Sequence, residues 1–365
     1  MINLLLDKKM LSPKIVIGLG YGDEGKGRTV DYLCSLEPSS TVVRFSGGQQ
    51  CGHTVMIDDE KHIFSNFGSG TLRGCPTYFT EHTTIYPTTY FKELKVLLDK
   101  GYQPEVFIHP LANLTSPFDV LANRSCEKNL SHGSCGLGVG KTMHRQISSP
   151  YKLYAIDLLE PTTLIDKLES IAEWYGISYA ENKEYVDLFI EAVVTAKWNI
   201  KDYSYLFRKN LIFEGSQGVL LDMDHGVFPH VTYANTTSKN AIEVLKIIGE
   251  TRCDIYGVTR TYHTRHGAGP FEEDDSVLKK IPAEETNKYN QYQKEFKVGP
   301  LNISKVKQAI EFDKIYSSQL NRMFTLVVTC VDQVDASNEL MLLSTEYENS
   351  IVFSDPKNSK KVINY

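Results

Sequence analysis

The stretch Gly18-Leu19-Gly20-Tyr21-Gly22-Asp23-Glu24-Gly25-Lys26-Gly27-Arg28 decides the fold of this chain. It follows a short apolar run at residues 15–17 and precedes a predicted helix over residues 29–36. A strand, a glycine-rich turn and a helix form a unit in which backbone N–H groups and a helix N-terminus hold phosphate. The sequence therefore predicts an α/β protein with a phosphate-binding loop at this turn.

The loop departs from the usual phosphate-binding pattern at one position. Gly20 to Lys26 has the spacing G-x-x-x-x-G-K, but Gly27 stands where such loops usually carry the Ser or Thr that holds Mg²⁺. A nucleotide bound here would need another protein ligand for its metal. Asp23, inside the loop, is the candidate.

Composition narrows the range of partners. The 365 residues are 41% hydrophobic and 23% charged, with a net charge of −6, which is typical of a globular protein with an ample core. There is neither a basic stripe for nucleic acid nor an apolar run long enough for a membrane span. The seven cysteines are scattered and show no CxxC pattern, so we expect reduced thiols and a cytoplasmic location, the host cytoplasm if a phage encodes the chain.

Apolar runs alternate with helical patterns along the chain. This alternation predicts a large, mostly parallel sheet flanked by helices, with ligands at the carboxyl ends of its strands. We expect a single domain over residues 1–365, with an N-terminal extension at 1–13 and a frayed basic tail at 356–365. The predicted strands are 14–18, 41–45, 106–109, 211–214, 255–259 and 324–329, and further predicted helices are 162–175, 183–198 and 238–248.

Three later segments carry the residue types of a nucleotide site. Residues 47–54 read GGQQCGHT, in which His53 can donate a proton or partner a phosphate. Residues 213–222 read FEGSQGVLLD, in which the amide of Gln217 can both donate to and accept from a base. Residues 264–271 read TRHGAGPF, in which Arg265 suits a phosphate or a ribose, although a surface turn is an equal alternative.

In this order, the segments resemble the signatures of the adenylosuccinate synthetase family, from about residue 15 to residue 355. The motif GDEGKG at residues 22–27 is the most specific, and FPHVT at 228–232, with NTT at 235–237, adds to it. The resemblance implies a P-loop-NTPase-like fold with one large mixed sheet and a homodimer. It also implies a Mg²⁺-dependent ligase that joins L-aspartate to carbon 6 of a 6-oxopurine nucleotide and hydrolyses a nucleoside triphosphate.

The resemblance also assigns roles to residues. Asp23 would take the N1 proton of the purine and, with the Gly52 carbonyl, hold Mg²⁺. Lys26 and His53 would stabilise charge on the transferred phosphoryl group and the leaving diphosphate, and Gln217 completes the catalytic set. The triphosphate loop would comprise Gly22, Asp23, Glu24, Gly25, Lys26, Gly27, Gly52, His53 and Thr54. The purine monophosphate would be held by Gln50, Ser134, Arg145, Gln217, Thr232 and Arg265, with Arg145 near the place of an arginine that crosses the dimer interface.

The chain departs from the family pattern where the donor base and aspartate would bind. Asp332, Ser344 and Glu346 are the candidates for the donor base. Cys330 replaces a lysine of the family pattern and Glu346 replaces a glycine, which brings ATP into consideration beside GTP. The arginine-rich aspartate loop is absent, and Lys294 and Lys297 are the cations in the corresponding stretch. Lysines supply point charges and not the bidentate contacts of arginine.

These departures leave two ligase interpretations open. Gln50 replaces the family's Asn near the purine, and the altered pockets resemble the phage branch, which accepts dGMP and makes the precursor of 2-aminoadenine DNA. The retained Asp23 favours ordinary IMP chemistry, because many phage members carry a smaller residue there. Of the two, we favour dGMP. A non-catalytic nucleotide-binding protein and a generic P-loop NTPase are the alternatives from other classes.

Overall fold

The computed structural model describes residues 11–126, 135–281, 296–344, 350–353 and 362–364. The strands are β1 Lys14–Gly18, β2 Thr41–Arg44, β3 His53–Ile57, β4 Glu60–Phe64, β5 Thr77–Phe79, β6 Thr84–Ile85, β7 Val106–Ile108, β8 Asn113–Leu114, β9 Leu211–Glu214, β10 Arg252–Arg260, β11 Tyr262–His266, β12 Phe296–Pro300, β13 Asn321–Thr329, β14 Ser350–Phe353 and β15 Val362–Asn364. The α-helices are α1 Lys26–Leu36, α2 Pro87–Asp99, α3 Pro117–Arg124, α4 Val139–Ser148, α5 Pro161–Tyr175, α6 Lys183–Thr195, α7 Lys239–Ile247, α8 Asp275–Leu278, α9 Ile303–Ser317 and α10 Ser337–Ser344.

The main sheet is mostly parallel, as the alternation of strands and helices predicts. Among the described residues it has nine strands in the order β15-β14-β13-β10-β1-β9-β2-β5-β7. Every neighbouring pair is parallel except β14 and β15. The phosphate-loop strand β1 lies near the middle, and all five of its residues are buried.

Helices cover both faces of this sheet. Val16 packs on one face with Val30 and Leu33 of α1. The neighbouring Ile15 and Ile17 lie in a second cluster that includes α7 and α9 residues. Alternate residues of a strand point to opposite faces, so the unbroken apolar run 15–17 is what a doubly covered central strand requires.

A third apolar cluster joins α2, α3, α5 and α6 to strands β5 and β7 at one edge of the sheet.

The predicted helix 183–198 ends at Thr195, where the indole N–H of Trp198 donates to the Val193 carbonyl at 2.7 Å. Trp198 therefore satisfies a carbonyl near the helix end and does not extend the helix. No helix within the described ranges is long and apolar enough to cross a membrane.

The predicted basic tail needs one correction. Residues 362–364 form β15, which pairs antiparallel with β14 through Val352 and Ile363. This part of the tail is an edge strand of the main sheet and is not frayed, because its backbone groups pair with those of β14. The other residues of the predicted tail, 356–361 and 365, lie outside the described residues.

Candidate active site

The phosphate-loop residues and the later motifs meet at one edge of the sheet. Strands β1, β2, β9, β10 and β13 run parallel, so the segments that follow them all emerge at their carboxyl ends. The loop after β9 contacts the loop after β1, since the Leu220 N–H donates to the Gly20 carbonyl at 3.0 Å. Open parallel sheets bind ligands at this edge.

Glu24 organises the phosphate loop from inside. The backbone N–H groups of Gly20 and Gly22 donate to its Oε1 at 3.1 and 2.8 Å, and Lys26 Nζ donates to Oε2 at 2.6 Å. Glu24 and Lys26 are each only 3% exposed. The Thr329 hydroxyl, at the end of β13, donates to the Glu24 carbonyl at 2.7 Å and ties the loop to the sheet.

Asp23 stands at the mouth of the same loop, in a left-handed backbone conformation with φ of 61°. Its Oδ2 accepts a hydrogen bond from His266 Nε2 at 2.9 Å, and its side chain is one-third exposed (33%). Burial acts to raise the pKa of Asp23, but the His266 contact and the charges of Arg260 and Lys26 outweigh it. The pKa is therefore held well below its usual range, and the carboxylate is ionised.

His53 lies beside the first turn of α1 and pairs with a buried carboxylate. Its Nδ1 is 2.7 Å from Glu214 Oε1, and Glu214 also accepts hydrogen bonds from the backbone N–H and hydroxyl of Ser69. Burial lowers the pKa of His53, with the Glu214 charge acting in the opposite direction. A neutral His53 next to an ionised Glu214 must carry its proton on Nδ1, which orients Nε2 away from Glu214.

The geometry explains why Gly27 is not the usual Ser or Thr. A Cβ at Gly27 would lie 2.7 Å from His53 Cβ and 2.9 Å from Ser69 Oγ. His53 and Ser69 thus occupy the space that a metal-binding Ser or Thr side chain at position 27 would need. The Ser/Thr ligand and this placement of His53 exclude each other sterically.

The loop after β9 closes the site from the other side. Gln217 has a left-handed φ of 50°, and its backbone lies beside Gly22. A Cβ at Gly218 would lie 2.1 Å from the Gly20 carbonyl oxygen, so this close approach of two loops requires glycine. The structure therefore places the backbone of Gln217 against the phosphate loop.

The other residues predicted to hold the purine monophosphate differ in whether protein groups already occupy their hydrogen-bonding atoms. Both amide atoms of Gln50 are buried and have no hydrogen-bond partner among the described residues, which suits a polar ligand. The Arg265 guanidinium donates to the carbonyls of His230, Ala268 and Pro270 and stacks on Tyr21 at 4.8 Å. Arg265 is therefore largely engaged in holding its own loop. The backbone N–H of Thr232 donates to the Leu221 carbonyl at 2.8 Å.

The expectation that Arg145 reaches a nucleotide across a dimer interface conflicts with its position. Arg145 is fully buried and forms a two-point ion pair with Asp119, with N···O distances of 2.9 Å. Its remaining N–H groups donate to Gln146 Oε1 and to the carbonyls of Tyr151 and Leu114. All five guanidinium donors are used within the chain, so none is left for a phosphate.

Some of the residues predicted to bind aspartate and the donor base lie within the described residues. Lys297 lies on β12 opposite Arg265 and pairs with Glu273 at 2.9 Å. Asp332 follows β13, next to Cys330 with its left-handed φ of 59°. Ser134, Lys294 and Glu346 lie outside the described residues, and Ser344 ends α10.

Several site residues had no role assigned from sequence: Glu214, His266, Ser69 and Thr329. Glu214 and His266 fall inside recognised motifs, and an acidic residue at the buried end of a strand is a usable signal. Thr329 begins the stretch Thr329–Asp332, which resembles the family's donor-base element. Ser69 contacts the site from a distant part of the chain, which no local spacing reveals.

The residues present suit a magnesium ion bound together with substrate phosphates. Mg²⁺ is usually held by one or two carboxylates plus phosphate oxygens and water. Asp23 offers one ionised carboxylate, and within the described ranges there is no group of three His, Cys, Asp or Glu side chains that could hold a metal alone. A metal here would therefore depend on the bound nucleotide for the rest of its ligands.

Comparisons with known proteins show the family of the chain. The model of the adenylosuccinate synthetase family matches residues 15–362. The adenylosuccinate synthetase of Thermodesulfovibrio yellowstonii is 29% identical in an alignment of 367 residues. This alignment covers 95% of this chain and 84% of the relative.

Two solved structures share the fold. Fully ligated adenylosuccinate synthetase from Plasmodium falciparum has a TM-score of 0.78 at 18% identity, covering 97% of this chain and 100% of that one. The succinoaminodeoxyadenylate synthetase of cyanophage S-2L, bound to dGMP and to dATP as an energy donor, has a TM-score of 0.70 at 17% identity, covering 98% and 96%. Because the family match extends over nearly the whole described chain, this protein belongs to the adenylosuccinate synthetase family and is a ligase that forms a carbon–nitrogen bond.

Proposed function

We propose that this chain joins L-aspartate to carbon 6 of a purine nucleoside monophosphate, with dGMP as the leading substrate and ATP as the donor. Nucleoside triphosphate is hydrolysed to diphosphate and phosphate, with Mg²⁺ bound. The observation that carries the proposal is the meeting of Asp23, Lys26 and His53 around one turn. Asp23 is ionised there, and the Nδ1 of His53 is hydrogen-bonded to Glu214.

The first step activates the purine oxygen. The C6 oxygen is a poor leaving group, so it must be phosphorylated before an amine can replace it. Asp23 accepts the N1 proton, and the electrons of the N–H bond move toward O6. O6 then attacks the γ-phosphorus, and the bond to the β–γ bridging oxygen breaks. Bound Mg²⁺ would neutralise charge on the phosphates.

Lys26 and His53 act on the charge that this transfer creates. Lys26 and the loop N–H groups would stabilise charge on the phosphoryl group during its transfer, because fixed donors stabilise charge that develops beside them. His53 would face the leaving diphosphate through Nε2. Glu214 stays ionised beside Nδ1, so it favours a positive imidazole ring as negative charge develops on the diphosphate.

The second step exchanges phosphate for aspartate. The amine of L-aspartate attacks C6, the C6–O bond breaks, and inorganic phosphate leaves with the bonding electrons and takes up the proton that the attacking nitrogen loses. The two carboxylates of aspartate need cations, and Lys294 and Lys297 are the proposed contacts. Lys297 already pairs with Glu273 at 2.9 Å, so aspartate binding would exchange one carboxylate partner for another.

The choice of dGMP and ATP rests on the departures from the family pattern. Cys330 replaces the lysine of the donor-base element, and Gln50 presents an unpartnered amide where the family has Asn. The cyanophage neighbour is bound to dGMP and dATP. IMP with GTP is the second candidate, favoured by the retained Asp23. Binding without catalysis is the third, and the intact Asp23, Lys26 and His53 argue against it.

One assay separates these candidates. Purified protein is incubated with L-aspartate and Mg²⁺, crossing IMP, GMP and dGMP with ATP and GTP, and the succinylated products are identified by mass. Product from dGMP supports the leading proposal. Product from IMP alone overturns it in favour of the second candidate. No product with any pair overturns both ligase proposals, and Asp23→Ala is the control because it should abolish product without preventing nucleotide binding.

We also propose that the enzyme is a homodimer, as the family resemblance implies. The loop after β9 carries three exposed apolar side chains, Val227, Phe228 and Tyr233, at 56%, 84% and 51% exposure. Exposed apolar groups of this kind are common in interfaces between subunits. Light scattering of the purified protein, with and without nucleotide, gives the mass directly, and a monomer under both conditions contradicts the proposal.

A further inference from the structure

His266 joins two parts of the site that are 243 residues apart in sequence. It is the last residue of β11, and its Nε2 lies 2.9 Å from Asp23 Oδ2. Both side chains are partly exposed, His266 by 25% and Asp23 by 33%, so the contact lies at the mouth of the site and not in the core. The contact is therefore open to an arriving substrate.

The strand β11 holds His266 firmly in this position. His266 pairs with Phe296 across the antiparallel strands β11 and β12, and their rings lie 4.9 Å apart at a 49° angle. Thr264, two residues earlier on the same strand, donates from its hydroxyl to the Gly22 carbonyl at 3.3 Å. Residues two apart on a strand face the same side, so β11 contacts the phosphate loop twice from one face.

The Asp23 carboxylate needs such a partner. Asp23 sits in a left-handed backbone conformation on a glycine-rich loop, and its carboxylate is one-third exposed at the site. An ionised carboxylate only accepts hydrogen bonds, so Nε2 of His266 is the donor. The bond engages Oδ2 and thereby orients Oδ1, the other oxygen.

We propose that His266 is a positioning residue for the ligase reaction: its Nε2–H holds the Asp23 carboxylate so that the second oxygen meets the N–H of the purine. The proposal rests on the proposed function, in which Asp23 accepts the N1 proton. It adds a residue on a different strand to the machinery of that step. A carboxylate free to rotate would reach the productive geometry less often, and misplacement by about 1 Å can cost about a hundredfold in rate.

Two substitutions separate the hydrogen bond from the packing of the ring. His266→Phe keeps an aromatic ring against Phe296 but removes the donor. His266→Gln keeps an N–H at nearly the reach of Nε2 but removes the ring. If His266 positions Asp23, His266→Phe lowers kcat by about tenfold to a hundredfold with smaller changes in KM for both nucleotides, whereas His266→Gln retains most of kcat.

A purely structural role predicts the opposite order, with His266→Phe active and His266→Gln impaired, and that result overturns the proposal. His62 provides a matched control, because it pairs with Glu93 at 3.3 Å and lies 4.5 Å from the Phe64 ring. His62→Phe should leave kcat unchanged.

The wild type, assayed beside the variants, keeps the two proposals apart. A wild type that makes no succinylated product with any nucleotide overturns the proposed function, and the role of His266 with it. An active wild type together with a fully active His266→Phe overturns the role of His266 alone.

Discussion

His53 Nδ1 lies 2.7 Å from Glu214 Oε1, and this contact joins the start of β3 to the end of β9 in the main sheet. Glu214 is fully buried and also accepts from Ser69, so it is fixed independently of His53. We expect Glu214→Gln to lower kcat by about tenfold to a hundredfold, which is less than the roughly 10²–10⁴-fold effect of a residue that itself transfers a proton, because Glu214 acts through His53. Steady-state kinetics on the purified variant test this, and an unchanged kcat would show that Glu214 serves only the fold.

The same carboxylate should make stability depend on pH. Burial acts to raise the pKa of Glu214, but His53, Arg44 and Ser69 outweigh it and lower the value from 4.5 to about 2. Because the folded pKa is depressed, Glu214 contributes stability above about pH 4.5 that is lost as the pH falls toward about 2. Urea unfolding of wild type and Glu214→Gln across this range should show a shallower decline for the variant. Parallel declines would contradict the assignment.

The buried pair of Glu24 and Lys26 should support the folded loop. Glu24→Gln leaves Lys26 without its ionic partner, and breaking one side of a buried pair costs about 3–5 kcal/mol. Chemical denaturation measures the loss. The exposed pair of Lys183 and Asp187 is the control, since water and salt screen this pair and Asp187→Asn should change stability far less. Equal effects of the two substitutions would refute the role of Glu24 as the internal support of the loop.

Restoring the missing serine should harm the enzyme. Gly27→Ser places a Cβ 2.7 Å from His53 Cβ, and overpacking of this kind costs about 1–3 kcal/mol. We expect a lower melting temperature and reduced kcat, with no gain in Mg²⁺ affinity. Gly140→Ala is the matched control, because its Cβ would meet only Tyr233 at 3.7 Å. Higher activity in Gly27→Ser would mean that His53 is placed differently from the structure.

Arg145 should matter for folding more than for substrate binding. Arg145→Met removes the partner of the buried Asp119, and we expect a loss of about 3–5 kcal/mol of stability. The KM for the purine monophosphate should stay close to that of the wild type in the fraction that remains folded. A stable variant with a greatly raised KM would instead support the contact across a dimer interface.

Much of the fold follows from local sequence. The run Lys14–Gly18, the glycine-rich turn and α1 could be predicted because apolar β-branched residues, glycines and a helical pattern follow one another directly. Helix ends depend on contacts beyond the local pattern, as Trp198 shows by donating to the Val193 carbonyl beyond the end of α6 instead of extending the helix. The edge strand β15 could not be predicted, because a segment of only three residues becomes a strand only when a partner strand is present.

The candidate site divides in the same way. The sequence by itself determined the family, the phosphate loop and the residue types of the chemistry, since Asp23, Lys26, His53 and Gln217 all lie within short motifs. Only the tertiary structure decided the partners: Glu214 beside His53, His266 beside Asp23, and the enclosure of Arg145 by Asp119. The physical reason is that spacing along the chain specifies which groups are available, whereas hydrogen bonds form between groups that only the folded sheet brings within about 3 Å.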